Sequence, residues 1–231
     1  MGVTDQHQQD AEKLLAAKEA VKFIKNGDVV GLGTGTTTTF AIKELGKRVA
    51  DGLKITAASS SIRSEELAKS LGIQILDLGA LSSIDISIDG ADEFTDTLNL
   101  IKGGGGALFR EKIIASLSKN SIIITDTSKR VEKLGAFTVP VEVFPLAFQY
   151  VYNQLAKLGG KGILRKKDNE TFITDNNNYI IDVDFGLIDD PESLATNLNQ
   201  VTGVLAHGLF IGLTSKVIMA KGTEVISFDK V

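Results

Sequence analysis

A chain of 231 residues, 43% hydrophobic and 23% charged, has the balance of a globular protein with a substantial core, which excludes disordered and fibrous readings and allows one large domain plus a small companion. A formal net charge of -4 without a polybasic block argues against nucleic acid or an anionic membrane as partner, yet leaves room for a small anionic substrate bound by a local cluster of lysine and backbone N–H groups. There is no cysteine, which excludes disulfides and thiolate chemistry. No apolar run reaches the roughly 18 residues of a membrane helix, and the first ten residues lack a signal-peptide core, so the expected location is the cytoplasm.

In chain order, hydrophobic periodicity predicts a helix over 12–26, a strand over 28–33, a helix over 36–50 and a strand over 53–58. A helix over 63–71 follows, then strands over 73–78 and 84–89, a helix over 108–118 and a β-branched strand over 122–125. Such alternation is the pattern of a parallel sheet with helices on both faces, a Rossmann-like α/β arrangement. From Val139 the character changes. A helix near 146–158, a Lys/Arg-rich strand, strands over 171–174 and 179–184, a helix over 192–198 and a strand over 204–210 give the order of a smaller α+β ferredoxin-like domain. The expected division is a Rossmann-like catalytic domain over 1–137 and 211–231, with 215–228 returning to the first sheet, and a ferredoxin-like domain over 138–210.

Four segments carry chemistry. Val30-Gly-Leu-Gly-Thr-Gly-Thr-Thr-Thr-Thr39 runs from a strand into a helix, and its glycines, hydroxyls and helix-start N–H groups suit a phosphate near Thr34, Gly35, Thr36 and Thr37. The bland alternative is a tight turn capped by threonine. A dinucleotide fits poorly, because the next strand ends in Ala57-Ala-Ser-Ser-Ser61 with no acid for a ribose hydroxyl. In Ile84-Asp-Ile-Ser-Ile-Asp-Gly-Ala-Asp-Glu93 the isoleucines alternate along a strand that delivers Asp89 to its carboxyl end, and Gly90 lets the chain turn so that Asp92 faces the same crevice. The pair suits sugar hydroxyls or proton transfer; a solvated acidic turn or a magnesium site are the other readings, the latter short of ligands with only two histidines in the chain.

Lys102-Gly-Gly-Gly-Gly-Ala-Leu-Phe-Arg-Glu-Lys112 places a glycine run, including Gly103, Gly104 and Gly105, ahead of a helix. Counting by three and four sets Glu111 on the face of Ala107, Leu108, Ile114 and Ala115, where burial raises a carboxylate toward the range of a general base for carbon acids. A structural ion pair is the alternative for Glu111, and a solvated strand-end residue for Lys102. Asp126-Thr-Ser-Lys129 follows the β-branched strand, so Lys129 reaches the same sheet edge and is a phosphate candidate, although lysine after a strand is common. His207 is read as structural or interdomain, since it lies in the last strand of the second domain.

The order Gly-Thr-Gly-Thr-Thr, Asp-Gly-Ala-Asp-Glu, Lys-Gly-Gly-Gly-Gly-Ala-Leu, Arg-Glu-Lys and Ser-Lys resembles ribose-5-phosphate isomerase of the A type. The resemblance extends through Val139-Pro-Val-Glu-Val143, Leu155-Ala-Lys-Leu-Gly-Gly160, Thr174-Asp-Asn and Gly208-Leu-Phe210, with small departures at Thr36, where serine is frequent, and Phe109. It implies interconversion of ribose 5-phosphate and ribulose 5-phosphate in the non-oxidative pentose phosphate pathway, without cofactor or metal, by a homodimer or homotetramer. Glu111 would move a proton between C2 and C1 through a cis-enediolate and Lys102 would stabilise the oxyanion. Asp89 and Asp92, with Gly90 and Ala91 between them, would hold sugar hydroxyls and help open the ring, with Gly103 to Gly105 also lining the substrate. Thr34 to Thr37 and Lys129 would take mainly the phosphate. Two other readings share the fold: a coenzyme A transferase with a nucleophilic glutamate, and a sugar-phosphate-sensing domain, for whose DNA-binding module the short N-terminus leaves no room.

Overall fold

The structure, a computed structural model, describes residues 3–230. The chain begins with α1 (Val3–Val21), β1 (Val29–Leu32), α2 (Thr36–Ala50), β2 (Thr56–Ser59), α3 (Ile62–Ser70), β3 (Gln74–Ile75) and β4 (Ile84–Asp89). It continues through β5 (Glu93–Phe94), β6 (Leu100–Ile101), α4 (Leu108–Leu117), β7 (Ser118–Asp126), β8 (Val139–Val143), α5 (Phe148–Lys157), β9 (Lys161–Leu164), β10 (Lys166–Lys167) and β11 (Glu170–Thr171). The last elements are β12 (Tyr179–Asp184), α6 (Pro191–Asn199), β13 (Val204–His207), β14 (Leu209–Phe210), β15 (Lys216–Lys221) and β16 (Glu224–Asp229). Two compact units result: one holds the described residues up to Ala91, Ile113–Lys129 and those from Leu213 on, the other Asp92–Lys112 and Arg130–Gly212.

The first unit is built on a seven-stranded sheet in the order β16-β15-β7-β4-β1-β2-β3. All its pairings are parallel except that of β15 with β16. Counting only the strands of this sheet, the order is 7-6-5-4-1-2-3, the doubly wound arrangement with one antiparallel edge strand. Its core follows from alternation and helical spacing: Ile86 and Ile88 of β4 pack with Ala41, Ile42 and Leu45 of α2 and with Ala16, Ala17 and Ala20 of α1. The segment expected to return to this sheet does so as β15 and β16.

The second unit holds the four-stranded antiparallel sheet β13-β8-β12-β9, which in its own strands reads 4-1-3-2, the ferredoxin-like order, with α5 and α6 as the crossovers. Val139, Val141 and Val143 of β8 meet Ile181 and Val183 of β12, Val151 and Leu155 of α5 and Leu198 of α6. Sequence periodicity misses β5 and β6, two residues each, which pair with one another, β6 also pairing with β14. The strand expected over 204–210 is divided between two sheets. Gly208 marks the break, because a Cβ there would lie 2.4 Å from the Lys102 carbonyl oxygen. Residues 92–112 and 130–137, expected with the larger domain, group with the second unit. The cause is packing: Ile101 and Leu134 enter its core, and the Glu93 carboxylate accepts the N–H groups of Gly135 at 2.8 Å and Phe137 at 2.5 Å.

Candidate active site

In the first unit β1, β2, β4 and β7 are parallel and release the chain at one edge, and the strand order reverses direction between β1 and β4, where open α/β sheets bind ligands. A Cβ on Gly33 would lie 1.9 Å from Asp89 Oδ1, so only glycine lets the end of β1 pass that carboxylate. Asp89, 8% exposed, accepts through Oδ1 from the backbone N–H of Thr34 at 3.1 Å, that of Gly90 at 2.7 Å and the Thr38 hydroxyl at 3.3 Å. The Thr34 hydroxyl lies 2.7 Å from Ser60 Oγ and donates to Ser61 Oγ at 2.8 Å, while Ser64 Oγ donates to the Gly33 carbonyl at 2.8 Å. The turn after β1 is thus fixed from the ends of β2 and β4 together.

Gly35 is the N-cap of α2 at φ 111°, with no side-chain cap and no acid in the first turn, and both Gly35 and Thr36 are exposed. Uncapped N–H groups at the positive end of a helix this long stabilise an anion. Thr37 is partly buried one residue further on. Lys129 ends the 3-10 turn Thr127–Lys129 after β7, at the same edge; among the described residues no hydrogen bond joins it to the threonine turn. Gly90 does not take a positive φ, and its visible task is to donate its N–H to Asp89, with Ala91 partly exposed beyond it.

The second unit contains Lys102, directly after β6, and Glu111, in the first turn of α4. Lys102 Nζ lies 3.3 Å from Glu111 Oε2, and each side chain is only 4% exposed. At this distance and depth each charge offsets the other's burial, and a carboxylate and an ammonium are presented side by side. The Lys102 N–H donates to the Gly208 carbonyl at 2.9 Å, and its Nζ lies 5.4 Å from the centre of the Phe210 ring.

The glycine run that follows is shaped by two side chains. Asp92 accepts the Gly104 N–H at 2.8 Å, and a Cβ on Gly104 would stand 2.7 Å from the same carboxylate. Arg165 donates to the carbonyls of Gly103 at 2.9 Å and Gly104 at 3.2 Å, with its other nitrogens on Asp182. Gly103 itself is at φ 103°, closed to other residues by Leu108 and Pro140, and Gly104 and Gly105 are exposed. Asp92 therefore organises the second unit's loop as Asp89 organises the first unit's turn.

Sequence reasoning passed over Arg165, which nothing distinguishes from its lysine neighbours, and Glu142, fully buried in β8 and accepting from Thr174, Asn176 and Asn178. His207 is buried, with Nε2 3.1 Å from Asn199 Oδ1 and Nδ1 3.4 Å from Lys112 Nζ. Burial and the neighbouring Lys112 charge hold its pKa at about 3, and burial lowers that of Lys112 to about 7. A cavity of about 690 Å³ in the second unit is lined by Thr95, Asn99, Arg130, Lys133 and Ile188 among others, and contains neither Glu111 nor Lys102. Its cations are already paired with Asp96 and Asp189, so the buried Lys102–Glu111 pair is the better place for chemistry.

The family model described as ribose 5-phosphate isomerase A (phosphoriboisomerase A) matches residues 56–224. A ribose-5-phosphate isomerase A of Limosilactobacillus reuteri is 46% identical over 222 residues, 94% of this chain and 98% of that protein. One of Desulfatibacillum aliphaticivorans is 48% identical over 216 residues, 92% of this chain and 94% of that protein. The solved ribose 5-phosphate isomerase A of Methanocaldococcus jannaschii superposes with a TM-score of 0.91 at 40% identity, over 96% of this chain and 99% of that one. A D-ribose-5-phosphate isomerase solved in complex with phospho-erythronic acid gives 0.92 at 38% identity, again over 96% and 99%. Sequence likeness of this extent, on a fold matched nearly end to end, means that the chain belongs to the ribose 5-phosphate isomerase A family.

Proposed function

We propose that this chain interconverts ribose 5-phosphate and ribulose 5-phosphate through a cis-enediolate, with Glu111 as the base. The buried Lys102–Glu111 pair at 3.3 Å carries the reading. From the open-chain aldose, Glu111 takes the C2 proton; the C–H electrons form the C1=C2 bond and the carbonyl electrons move onto O1, where Lys102 stabilises them. Glu111 then returns the proton to C1 while the O2 proton passes to O1, leaving the ketose. Asp89 and Asp92 hold sugar hydroxyls and assist ring opening, and Thr34 to Thr37 with Lys129 take the phosphate. Phospho-erythronic acid, bound by a relative, supports this chemistry, because a planar carboxylate on a phosphorylated sugar chain has the shape and charge of an enediolate. The transferase and sensing alternatives gain nothing from relatives named as isomerases. No described helix is long and apolar enough to cross a membrane, and the proposed setting is the cytoplasm, as a homodimer or homotetramer.

The test is formation of ribulose 5-phosphate from ribose 5-phosphate in the presence of a chelator. Glu111→Gln keeps the shape of the side chain and removes the proton acceptor, so turnover should fall by about 10²- to 10⁴-fold with KM nearly unchanged, and exchange of the C2 proton with deuterated water should be lost with it. Near-normal turnover in Glu111→Gln would make Glu111 a structural residue. Activity abolished by the chelator and restored by one divalent ion would replace Lys102 as the electrophile.

A further inference from the structure

The sequence singles out Arg-Glu-Lys at 110–112, and the proposed chemistry uses only its middle residue. We propose that Arg110 and Lys112 are positioning residues that fix the rotation of α4 about its axis, and thereby the aim of Glu111 at Lys102; this rests on the reading of Glu111 as the base. Successive helical residues leave the axis about 100° apart, so residues 110 and 112 flank Glu111 on its two sides. Each is anchored to a different part of the second unit.

On one side, Arg110 Nε donates to Asn176 Oδ1 at 2.7 Å, and its NH2 group to the Asp175 carbonyl at 3.2 Å. Asn176 uses the other end of its amide on Glu142 Oε1 at 3.2 Å, which also accepts from Thr174 Oγ1 and Asn178 Nδ2, each at 2.9 Å. Glu142 is fully buried within β8, so the acceptor offered to Arg110 is tied to the sheet. On the other side, Lys112 Nζ donates to the Leu209 carbonyl at 2.9 Å, lies 3.4 Å from His207 Nδ1 and stands 4.9 Å from the centre of the Phe210 ring. His207 Nε2 faces Asn199 Oδ1 and must donate to it, which leaves Nδ1 as an acceptor for Lys112. The segment that holds Lys112 also holds Lys102, through the Gly208 carbonyl and the Phe210 ring.

Arg110 and Lys112 both donate to neutral acceptors, the Asn176 amide and the carbonyls of Asp175 and Leu209, which points to geometry rather than charge neutralisation. A carboxylate stands about 6 Å from its helix axis, so a rotation of about 20° shifts it by about 2 Å. That is enough to open the 3.3 Å pair, and misplacement of about 1 Å is enough to cost about 10²-fold in rate.

Arg110→Met and Lys112→Met retain the aliphatic reach and remove the anchoring bonds. Each should lower kcat about 10- to 100-fold with KM within about threefold, and Asn176→Ala, which leaves α4 untouched, should reproduce the Arg110→Met loss. The decisive measurement is the residual turnover of Glu111→Gln with and without each substitution. If Arg110 and Lys112 act through Glu111, neither should lower it further; a merely structural role would lower it by the same factor as in the wild type. Multiplying losses, or kcat within about twofold of wild type in both single variants, would overturn the inference while leaving the base assignment intact. Should either α4 variant fail to fold, by circular dichroism, Asn176→Ala on the Arg110 side and Asn199→Ala, which frees His207 on the Lys112 side, carry the same comparison from outside the helix. Near-normal turnover of Glu111→Gln would instead remove the base assignment and this inference with it.

Discussion

At the end of β1 one missing carbon decides what Asp89 can do: glycine at 33 admits the carboxylate, which then draws the N–H groups of Thr34 and Gly90 and the Thr38 hydroxyl around itself. Lys129 is fixed differently, through its neighbours. The Ser128 N–H donates to Asp126 Oδ1 at 2.9 Å, and the N–H and hydroxyl of Thr127 reach the buried Glu12 carboxylate at 3.5 and 3.4 Å. The backbone there does not depend on the lysine side chain, so Lys129→Ala should report the charge alone. An anchor remote from C1 and C2 holds ground and transition states alike, and a charged contact is worth about 1.5–3 kcal/mol, so KM for ribose 5-phosphate should rise about tenfold or more with kcat little changed. Inorganic phosphate should compete less well. A fall in turnover with normal phosphate competition would move Lys129 into the chemistry. At this scale the burial of Glu111 was legible, since counting by three and four put it with Ala107, Leu108, Ile114 and Ala115, of which the first three are buried and Ala115 is partly so. The contact of Lys102 with Glu111 was not, because no local pattern reports a side chain nine residues away.

Elements with long regular patterns read true: 36–50, 84–89 and 179–184 coincide with α2, β4 and β12. The two-residue strands β5 and β6 did not, because they are too short to show alternation and β14, which pairs with β6, lies more than a hundred residues further along the chain. The turn between β11 and β12 is another feature that single-residue patterns hide. Glu142 sits in a strand where every residue is buried, and its Oε1 alone satisfies Thr174, Asn176 and Asn178. Glu142→Ala would orphan three donors, of which those of Thr174 and Asn178 belong to buried residues. Each buried donor left unsatisfied costs about 1–3 kcal/mol, so a loss of about 3 kcal/mol or more is expected. For a chain of this length that is a fall in Tm of roughly 6–12 °C, with Glu142→Gln, which keeps an acceptor oxygen, less affected. A Tm within about 2 °C of wild type for Glu142→Ala would show that the turn is held by other means.

Across the whole molecule, the ferredoxin-like strand order was legible in the sequence while the partition of the chain was not, because 92–112 and 130–137 join the second unit through pairings distant in sequence. The same assembly makes stability depend on pH in a direction that can be stated. His207, 1% exposed, has a folded-state pKa of about 3 against an ordinary value of 6.5, lowered first by burial and then by the charge of Lys112. Between these two values the unfolded chain binds a proton that the folded one refuses, so stability rises with pH across the window and is lost as pH falls from 6.5 toward 3. Lys112 adds the same sign higher up: with its pKa lowered from 10.5 to about 7, stability rises between those values. One proton per unit of pH is worth about 1.4 kcal/mol, so in urea unfolding the wild type should lose about 2–3 kcal/mol more between pH 6.5 and 4.5 than His207→Gln does. Carboxylates that titrate in the same range act in both proteins and cancel in the difference. Parallel losses in the two proteins would mean that His207 takes up its proton in the folded state, and that the Asn199–His207–Lys112 contacts yield to acid before the rest of the second unit unfolds.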